Sequence, residues 1–508
     1  MQYALTAEQM RAAERDAIDA GSTTLGELMR RAGAALANEV GRLAPHGPVV
    51  VVCGPGNNGG DGWVASRILS AAGRDVRVLT LVHPEHLQGA ARDAADAAIA
   101  EGVTWTVPNS ALDVVTRLDG ARVILDAIFG FGSHGTPREP YASAIAAIVD
   151  SDAFVIAADI PSGVDADTGA TPGAAVRADV TVTFSAPKPG LLIYPGAGHA
   201  GEIVVVDLGV ARATLDSHGR IELWDRGDYR AAFPVPAPED HKGSRGRVAV
   251  VAGSRTYTGA VLLTVQGALR MGAGYVVAVV PEPVAEVVRI ALPSSLVRPV
   301  PASDDGAIAS AAGVLEAVTD ADAVVAGPGL TAAPGALEAV RMLVSQTAKP
   351  LVLDADALAA FSEDAHAALA AREAPLLLTP HPGEMARLLG TDVETVQADR
   401  IDAATRMSGR SAACLLKGPH TVVAGAGRAA IVLAGNAGLA RAGSGDVLSG
   451  MLGTLMAQGL SPFEAAALGA YLHGRAADHG AAALTTTCFT SADITSFLPD
   501  AVRDVLGG

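Results

Sequence analysis

Along this chain the apolar positions switch repeatedly between continuous runs that suit buried strands and stretches spaced for amphipathic helices. Two helical stretches come first: one from Thr6 to about Ala20, opened by the capping pair Thr6 and Gln9, and one from about Thr24 to Leu43. Val49-Val50-Val51-Val52-Cys53 then reads as a buried strand, ended by Gly54-Pro55-Gly56-Asn57-Asn58-Gly59-Gly60-Asp61-Gly62, with a helix predicted from Trp63 to Ala72. Strand-like runs recur at Val76–Val82, Val123–Ile128, Phe154–Ala158, Val180–Phe184 and Ile203–Asp207, and helical stretches separate the earlier ones. That alternation predicts a parallel sheet covered on both faces. The periodicity fades from Leu208 to Lys242, where Pro234, Pro236 and Pro238 predict a stiff linker. A second series follows at Val248–Ala252, Tyr275–Val280, Ala323–Ala326, Leu351–Asp354, Leu376–Thr379, Ala413–Lys417, Thr421–Ala424 and Ile431–Leu433, and long helices, including Pro462–His479, close the chain. Two α/β domains meeting near residue 220 are expected, the first over 1–215 and the second over 222–508.

Composition agrees with this division. At 508 residues the chain exceeds what one core usually supports, and 50% hydrophobic content with 18% charge is ample for two cores. A formal charge of −17 argues against a nucleic-acid partner, so an anionic ligand must be held by local donors. Cys53, Cys414 and Cys488 lie far apart, with neither a disulfide framework nor metal-ligand spacing, which fits a reducing cytosol. No signal pattern and no spanning apolar run is seen, so a soluble cytoplasmic protein without a membrane partner is expected.

The densest candidate chemistry is Gly443-Ser444-Gly445-Asp446, which opens an apolar helical stretch predicted over Val447–Gln458. Amide donors and the positive dipole end meet at such a junction, which suits a phosphoryl oxygen. A carboxylate there either caps the helix or takes the proton of a hydroxyl attacking phosphorus. Gly54, Gly56 and Gly59 fit a dinucleotide fingerprint, but Asn57, Asn58 and Asp61 crowd that loop with oxygen ligands better suited to a hard cation or a hydroxyl-bearing substrate. Asp126 and Asp159 with Ser162 follow two further strands of the same series, at the edge where open α/β sheets bind ligands. In the second series, His381 stands between two prolines, and Lys417 sits in a turn between strands where it can meet a nucleotide phosphate.

The stretches Cys53–Gly62, Asp126–Gly130 and Asp159–Asp165 resemble the NAD(P)H-hydrate epimerase domain. Leu378–Met385, Leu416–Gly418, Gly435-Asn436 and Gly443–Gly450 resemble the ADP-dependent NAD(P)H-hydrate dehydratase domain. The resemblance covers nearly the whole chain in the order of the fused bacterial repair enzymes. It implies a Rossmann-like three-layer α/β/α domain followed by a ribokinase-like α/β domain. It also implies repair of C6-hydrated NADH and NADPH: epimerisation of the R and S forms, then dehydration of the S form with ADP, releasing AMP and phosphate. Carried over by position, the hydrated cofactor in the epimerase would meet Asn57, Asn58, Gly59, Gly60, Asp61, the loop Gly130, Phe131, Gly132, Ser133, His134, Gly135, Thr136, and Asp159. Asn58, Asp126 and Ser162 would bind potassium, and Asp126 is the expected proton-handling carboxylate. In the dehydratase, Ala260, Gly329, His381 and Asp446 would touch the hydrated nucleotide, with Asp446 as base. Lys417, Gly418, Pro419, His420, Thr421 and Gly445 would hold the adenine nucleotide, with magnesium beside it. Two departures stand out. The family usually has Leu-Met-Glu where this chain reads Leu28-Met29-Arg30, and its Gly-Pro-Gly-Leu-Gly loop ends here in Thr331.

A homo-oligomer acting on small molecules is the expectation for assembly. Two rivals stay open on the residues alone: a vitamin or sugar kinase fused to a binding domain, since ribokinase-like kinases share the Gly-x-Gly-Asp loop, and a non-catalytic nicotinamide-nucleotide sensor.

Overall fold

Five consecutive apolar residues, all buried, make Val49–Cys53 an inner strand of the first of two sheets. The computed structural model describes residues 2–361 and 371–507, and the chain divides into two compact units between Ile221 and Glu222. In the first unit seven strands run parallel in the order Thr104–Thr106, Val76–Thr80, Val49–Cys53, Val123–Ala127, Phe154–Ala158, Val180–Phe184 and Glu202–Val206. Alternate residues of the inner strands feed two separate cores. Val49, Val51 and Cys53 pack with Leu36 and Trp63 on one face, while Val50 and Val52 pack with Ile124 and Ile145 on the other. Strand order reverses between Val49–Cys53 and Val123–Ala127, so their C-terminal ends open the crevice where such sheets hold ligands.

Here the structure differs from the sequence expectation. The helix after Val49–Cys53 begins at Asn57, not Trp63, and ends at Ala71, so Asn57–Gly62 forms its first turns. Glycines read locally as breakers, yet a Cβ on Gly59 would stand 2.1 Å from the Gly54 carbonyl oxygen. The close backbone approach that only glycine permits offsets the propensity cost. The expected linker over 208–242 also carries structure: helices Arg212–His218 and Arg226–Ala232, and a strand Ile221–Leu223. Elements of three to seven residues are too short to leave a periodic signal. The longest irregular part of that stretch begins at the prolines, from Pro234.

In the second unit the strands lie in the order Arg428–Val432, Thr421–Gly425, Ala412–Leu416, Leu376–Leu378, Leu351–Leu353, Ala323–Ala326, Arg247–Val251, Tyr275–Pro281 and Leu296–Val300. All neighbours are parallel except that Thr421–Gly425 runs antiparallel to both of its own. Helix Ser444–Ala457 is buried against helix Thr258–Arg270, and small residues let the backbones meet: a Cβ on Gly450 would lie 1.9 Å from the Thr264 carbonyl oxygen. The last long helix runs Pro462–Cys488, beyond the predicted end, with a kink at Thr485 (φ 67°). Among the described residues no helix is long and apolar enough to cross a membrane.

Candidate active sites

In the first unit the crevice contains a cavity of about 430 Å3, lined by Arg11, Glu14, Asn57, Asn58, Asp61, Phe129–Ser133 and Asp159 among others. Helix Asn57–Ala71 starts there at Gly56 without a side-chain cap, so its positive end faces the space. Asp159, held in the left-handed region at φ 65°, is buried and paired with the fully buried Lys188 ammonium. Lys188 also donates to Thr183 Oγ1 and the Phe184 carbonyl, both at 3.1 Å, and the Phe131 amide donates to Asp159 Oδ2 at 3.3 Å. The Phe131 ring has the Arg11 guanidinium 5.7 Å and the Lys188 ammonium 5.4 Å from its centre.

Asp126 lies deeper, with no exposed surface, and does not line that cavity. Ser162 Oγ donates to Asp126 Oδ1 at 2.6 Å, the Ile128 amide donates to the same oxygen at 3.2 Å, and the Ser162 amide donates to Oδ2 at 2.8 Å. Burial pushes the Asp126 carboxyl up to about 6 against the pull of those donors. Asn58 Nδ2 donates to the Phe129 carbonyl at 2.9 Å, and the Phe129 amide donates to Ser162 Oγ at 2.9 Å. Asn58, Asp126 and Ser162 therefore belong to one knot of oxygen-bearing groups behind the loop that starts at Phe129. Gly130, Phe131 and Gly132 line the first cavity, while His134, Gly135 and Thr136 line a second one of about 370 Å3, with Ser133 on both. His134 Nδ1 is 2.9 Å from Asp165 Oδ2.

In the second unit, the strand-end carboxylate Asp354 is the hub. Lys417 Nζ and Thr379 Oγ1 donate to its Oδ1 at 2.7 and 2.8 Å, and Ser449 Oγ donates to Oδ2 at 2.5 Å. Burial opposes ionisation, yet the Lys417 ammonium and the two hydroxyls together hold Asp354 below the ordinary carboxylate range. Helix Ser444–Ala457 begins at Gly443 in the left-handed conformation (φ 90°), again without a side-chain cap, and Asp446 stands in its first turn. Burial, followed by the Asp354 charge, pushes the Asp446 carboxyl up to about 7 while Lys417 pulls it down. Among the described residues the Asp446 carboxyl accepts no hydrogen bond. Asp446 is thus held as a partly buried carboxyl without a protein donor, which suits proton exchange better than helix capping.

Lys417 also lies 3.8 Å from Glu384 Oε2. Glu384 completes a capping box with His381, whose Nδ1 accepts from the Gly383 and Glu384 amides at 3.0 and 3.2 Å. His381 is therefore tied down through Nδ1, with Nε2 3.4 Å from Glu384 Oε1. Ala260 and Gly329 are brought together: a Cβ on Gly329 (φ 66°) would meet the Ala260 Cβ at 2.9 Å. Gly445 lies against Lys417, whose ammonium is 3.4 Å from where a Cβ would stand. The turn Lys417–Thr421 is closed by Thr421 Oγ1 donating to the Gly418 carbonyl at 3.2 Å and includes His420 at φ 52°. Thr331, the family departure, donates its amide to Asp356 Oδ2 at 2.9 Å.

Several groups in or beside these sites escape sequence reasoning. Lys188, between two prolines after a fully buried strand, left a faint signal; so did Glu14, which interrupts the apolar stripe Met10, Ala13, Ala17 of helix Ala7–Asp19. Arg400, buried and donating to the Leu416 and Lys417 carbonyls at 3.2 and 3.4 Å, left none.

A family model described as NAD(P)H-hydrate dehydratase matches residues 248–500, and one described as YjeF-related protein N-terminus matches residues 25–190. The chain is 39% identical over 484 residues to a bifunctional NAD(P)H-hydrate repair enzyme Nnr of Thermofilum pendens, covering 94% of this chain and 91% of that one. It is 35% identical over 497 residues to the enzyme of the same name from Escherichia coli, covering 97% and 92%. Among solved structures, an ADP/ATP-dependent NAD(P)H-hydrate dehydratase from Bacillus subtilis, co-crystallised with ATP and Mg2+, is 29% identical. It covers 56% of this chain and 99% of its own, with a TM-score of 0.49.

Proposed function

The chain belongs to the bifunctional NAD(P)H-hydrate repair enzymes, and from that premise we propose how its residues divide the work. The first unit interconverts the R and S epimers of C6-hydrated NADH and NADPH, and the second dehydrates the S form with ADP. The substrate carries a hydroxyl on the carbon beside its ring nitrogen, and hydroxide leaves poorly. Transfer of the β-phosphoryl group of ADP to that hydroxyl releases AMP and makes a phosphate ester. Expulsion of phosphate by the ring-nitrogen electron pair, with loss of a C5 proton, restores the dihydropyridine.

Asp446 takes the hydroxyl proton as the oxygen attacks phosphorus, and the amides of Gly443–Gly445 cradle the phosphoryl oxygens. Lys417, oriented by Asp354, meets the nucleotide phosphates, and the Lys417–Thr421 turn holds the nucleotide. Ala260, Gly329 and His381 line the hydrated nicotinamide side. Among the described residues no group of three or more His, Cys, Asp or Glu could hold a metal. Magnesium would accordingly arrive on the ADP phosphates, where it supplies charge neutralisation. The observation that carries this reading is Asp446 itself, a carboxyl in the first turn of an uncapped helix, raised to about 7 beside the Lys417–Asp354 pair.

In the first unit, Asn57–Asp61, Gly130–Thr136 and Asp159 bind the hydrated cofactor. The knot of Asn58, Asp126 and Ser162 is all oxygen on its acceptor side and contains a single carboxylate, which fits a monovalent hard cation such as potassium. The ion would offset the buried charge of Asp126.

The test is to mix the pure protein with racemic hydrated NADH and ADP and follow the return of reduced-nicotinamide absorbance. Recovery beyond half, faster than spontaneous epimerisation, is expected. Recovery stopping at half would remove the epimerase reading, and no recovery with a phosphorylated product would favour the kinase reading.

A further inference from the structure

Two carboxyl groups line the cavity of the first unit without a hydrogen-bond partner among the described residues: Glu14 on helix Ala7–Asp19 and Asp61 on helix Asn57–Ala71. The other two acidic groups of the crevice are occupied. Asp126 accepts three hydrogen bonds and has no exposed surface, and Asp159 is committed to Lys188, Thr183 and the Phe131 amide. Asp61 is only 8% exposed. An unpartnered carboxyl so deeply buried costs stability, and the cavity is where its remaining accessible surface can open.

We propose that Glu14 and Asp61 are the proton-exchanging pair of the epimerase, acting on the C6 hydroxyl and the ring nitrogen of the hydrated nicotinamide. The inference rests on the epimerase reading above. Glu14 removes the hydroxyl proton; the oxygen electron pair forms C6=O while the C6–N1 bond breaks, and its electron pair takes the Asp61 proton at N1. The ring opens to an aldehyde. Rotation about C5–C6 turns the opposite face of the carbonyl to N1, and N1 attacks it. Asp61 recovers the N1 proton as Glu14 returns one to the oxygen. Both carboxyls end as they began, the substrate emerges as the other epimer, and no co-reactant is consumed.

The surroundings prepare the two groups for opposite roles. Burial, then the charges of Asp159 and Glu14, raises the Asp61 carboxyl well above the ordinary carboxylate range, with Lys188 pulling it down. Burial also raises Glu14, to about 7, with Lys188 and Arg11 pulling down and Asp159 pushing up. Asp61 is the more deeply buried of the two and Glu14 the more open, so the first is the better proton donor and the second the better acceptor, the pattern that separates acid from base in paired-carboxylate sites.

The experiment uses the full chain, pure (R)-hydrated NADH and no ADP, with the epimers separated by chromatography between pH 5.5 and 9.5. Wild type should give kcat/KM falling below about pH 7. Glu14→Gln should lower kcat about 100-fold or more with KM nearly unchanged and remove that acid limb. Glu14→Asp should restore part of the rate with the limb present, and Asp61→Asn should lower kcat comparably. Dehydration of the S epimer with ADP should stay at the wild-type rate in every variant. A Glu14→Gln rate within about threefold of wild type, a loss confined to KM, or a wild-type profile flat from pH 6 to 8 would overturn the inference while leaving the epimerase reading intact. Absence of any interconversion by wild type would remove both.

Discussion

Asp446→Asn separates chemistry from folding in the second unit. Among the described residues the carboxyl accepts no hydrogen bond, so an amide of the same shape breaks no internal hydrogen bond. General-base removal typically costs 100- to 10,000-fold, or about 3 to 5 kcal/mol of barrier, and dehydration of the S epimer should fall by that factor. Epimerisation should be untouched. Stability should move the other way. The folded carboxyl titrates at about 7 and the unfolded one near 3.8, so the unfolded chain ionises first as pH rises. The native state loses stability between those values and carries the full penalty above the upper one. That span corresponds to about 4 kcal/mol, and to about half of that once screening at a partly open site is allowed for. Asparagine removes the penalty, so at pH 8 the second unit should melt about 4 °C higher than wild type, with no gain at pH 4. The assays are calorimetry at the two pH values and absorbance recovery from the pure S epimer with ADP, whose wild-type rate should fall tenfold per pH unit below about 7. Dehydration retained above about a tenth of wild type, or equal loss of both activities, would refute the assignment.

Three further substitutions test the supports of the two sites. Lys417→Met leaves the buried Asp354 with only Thr379 and Ser449; breaking such a pair costs about 3 to 5 kcal/mol, so calorimetry should show a lower melting of the second unit and titration a weaker ADP affinity. Gly267→Ala would place a methyl 2.2 Å from the Val447 carbonyl oxygen, next to Asp446. Overpacking of about 1 to 3 kcal/mol should depress dehydration while the epimerisation rate stays at the wild-type level. Lys188→Met should cost the first unit about 3 to 5 kcal/mol and its epimerase activity, measured by chromatography, with ADP-dependent dehydration preserved.

What was legible in the chain, and what was not, follows from the range of the interactions. Inner strands such as Val49–Cys53 and Ala412–Leu416 are buried on both faces and read as unbroken apolar runs. The edge strands Thr104–Thr106 and Leu296–Val300 escaped, because each has one open side and the second contains Arg298 and Pro299. Loops at strand ends announced themselves by glycine, asparagine and aspartate. Their supports did not. Asp159 and Lys188 are 29 residues apart, Asp354 and Lys417 63, and Asp354 and Ser449 95, and no local pattern records a pairing that only the sheet order creates. The early start of helix Asn57–Ala71 was hidden for a different reason: glycines read locally as breakers, and the close approach of Gly59 to the Gly54 carbonyl shows only in three dimensions.

The two units solve the same electrostatic problem with different residues. Each buries carboxylates at strand ends and saturates them: Asp126 with Ser162 and two amides and Asp159 with Lys188 and Thr183 in the first, Asp354 with Lys417, Thr379 and Ser449 in the second. Such a group is fixed in place and ties together loops that arrive from different strands. Each unit then keeps a second kind of carboxyl without a donor among the described residues, Glu14 and Asp61 in the first and Asp446 in the second, where burial raises affinity for a proton. The unsatisfied carboxyls are destabilising where they stand, and packing alone gives no reason to keep them. Their cost makes sense when a substrate hydroxyl or ring nitrogen supplies the missing partner, and on the proposed reading these carboxyls are where protons move in this chain.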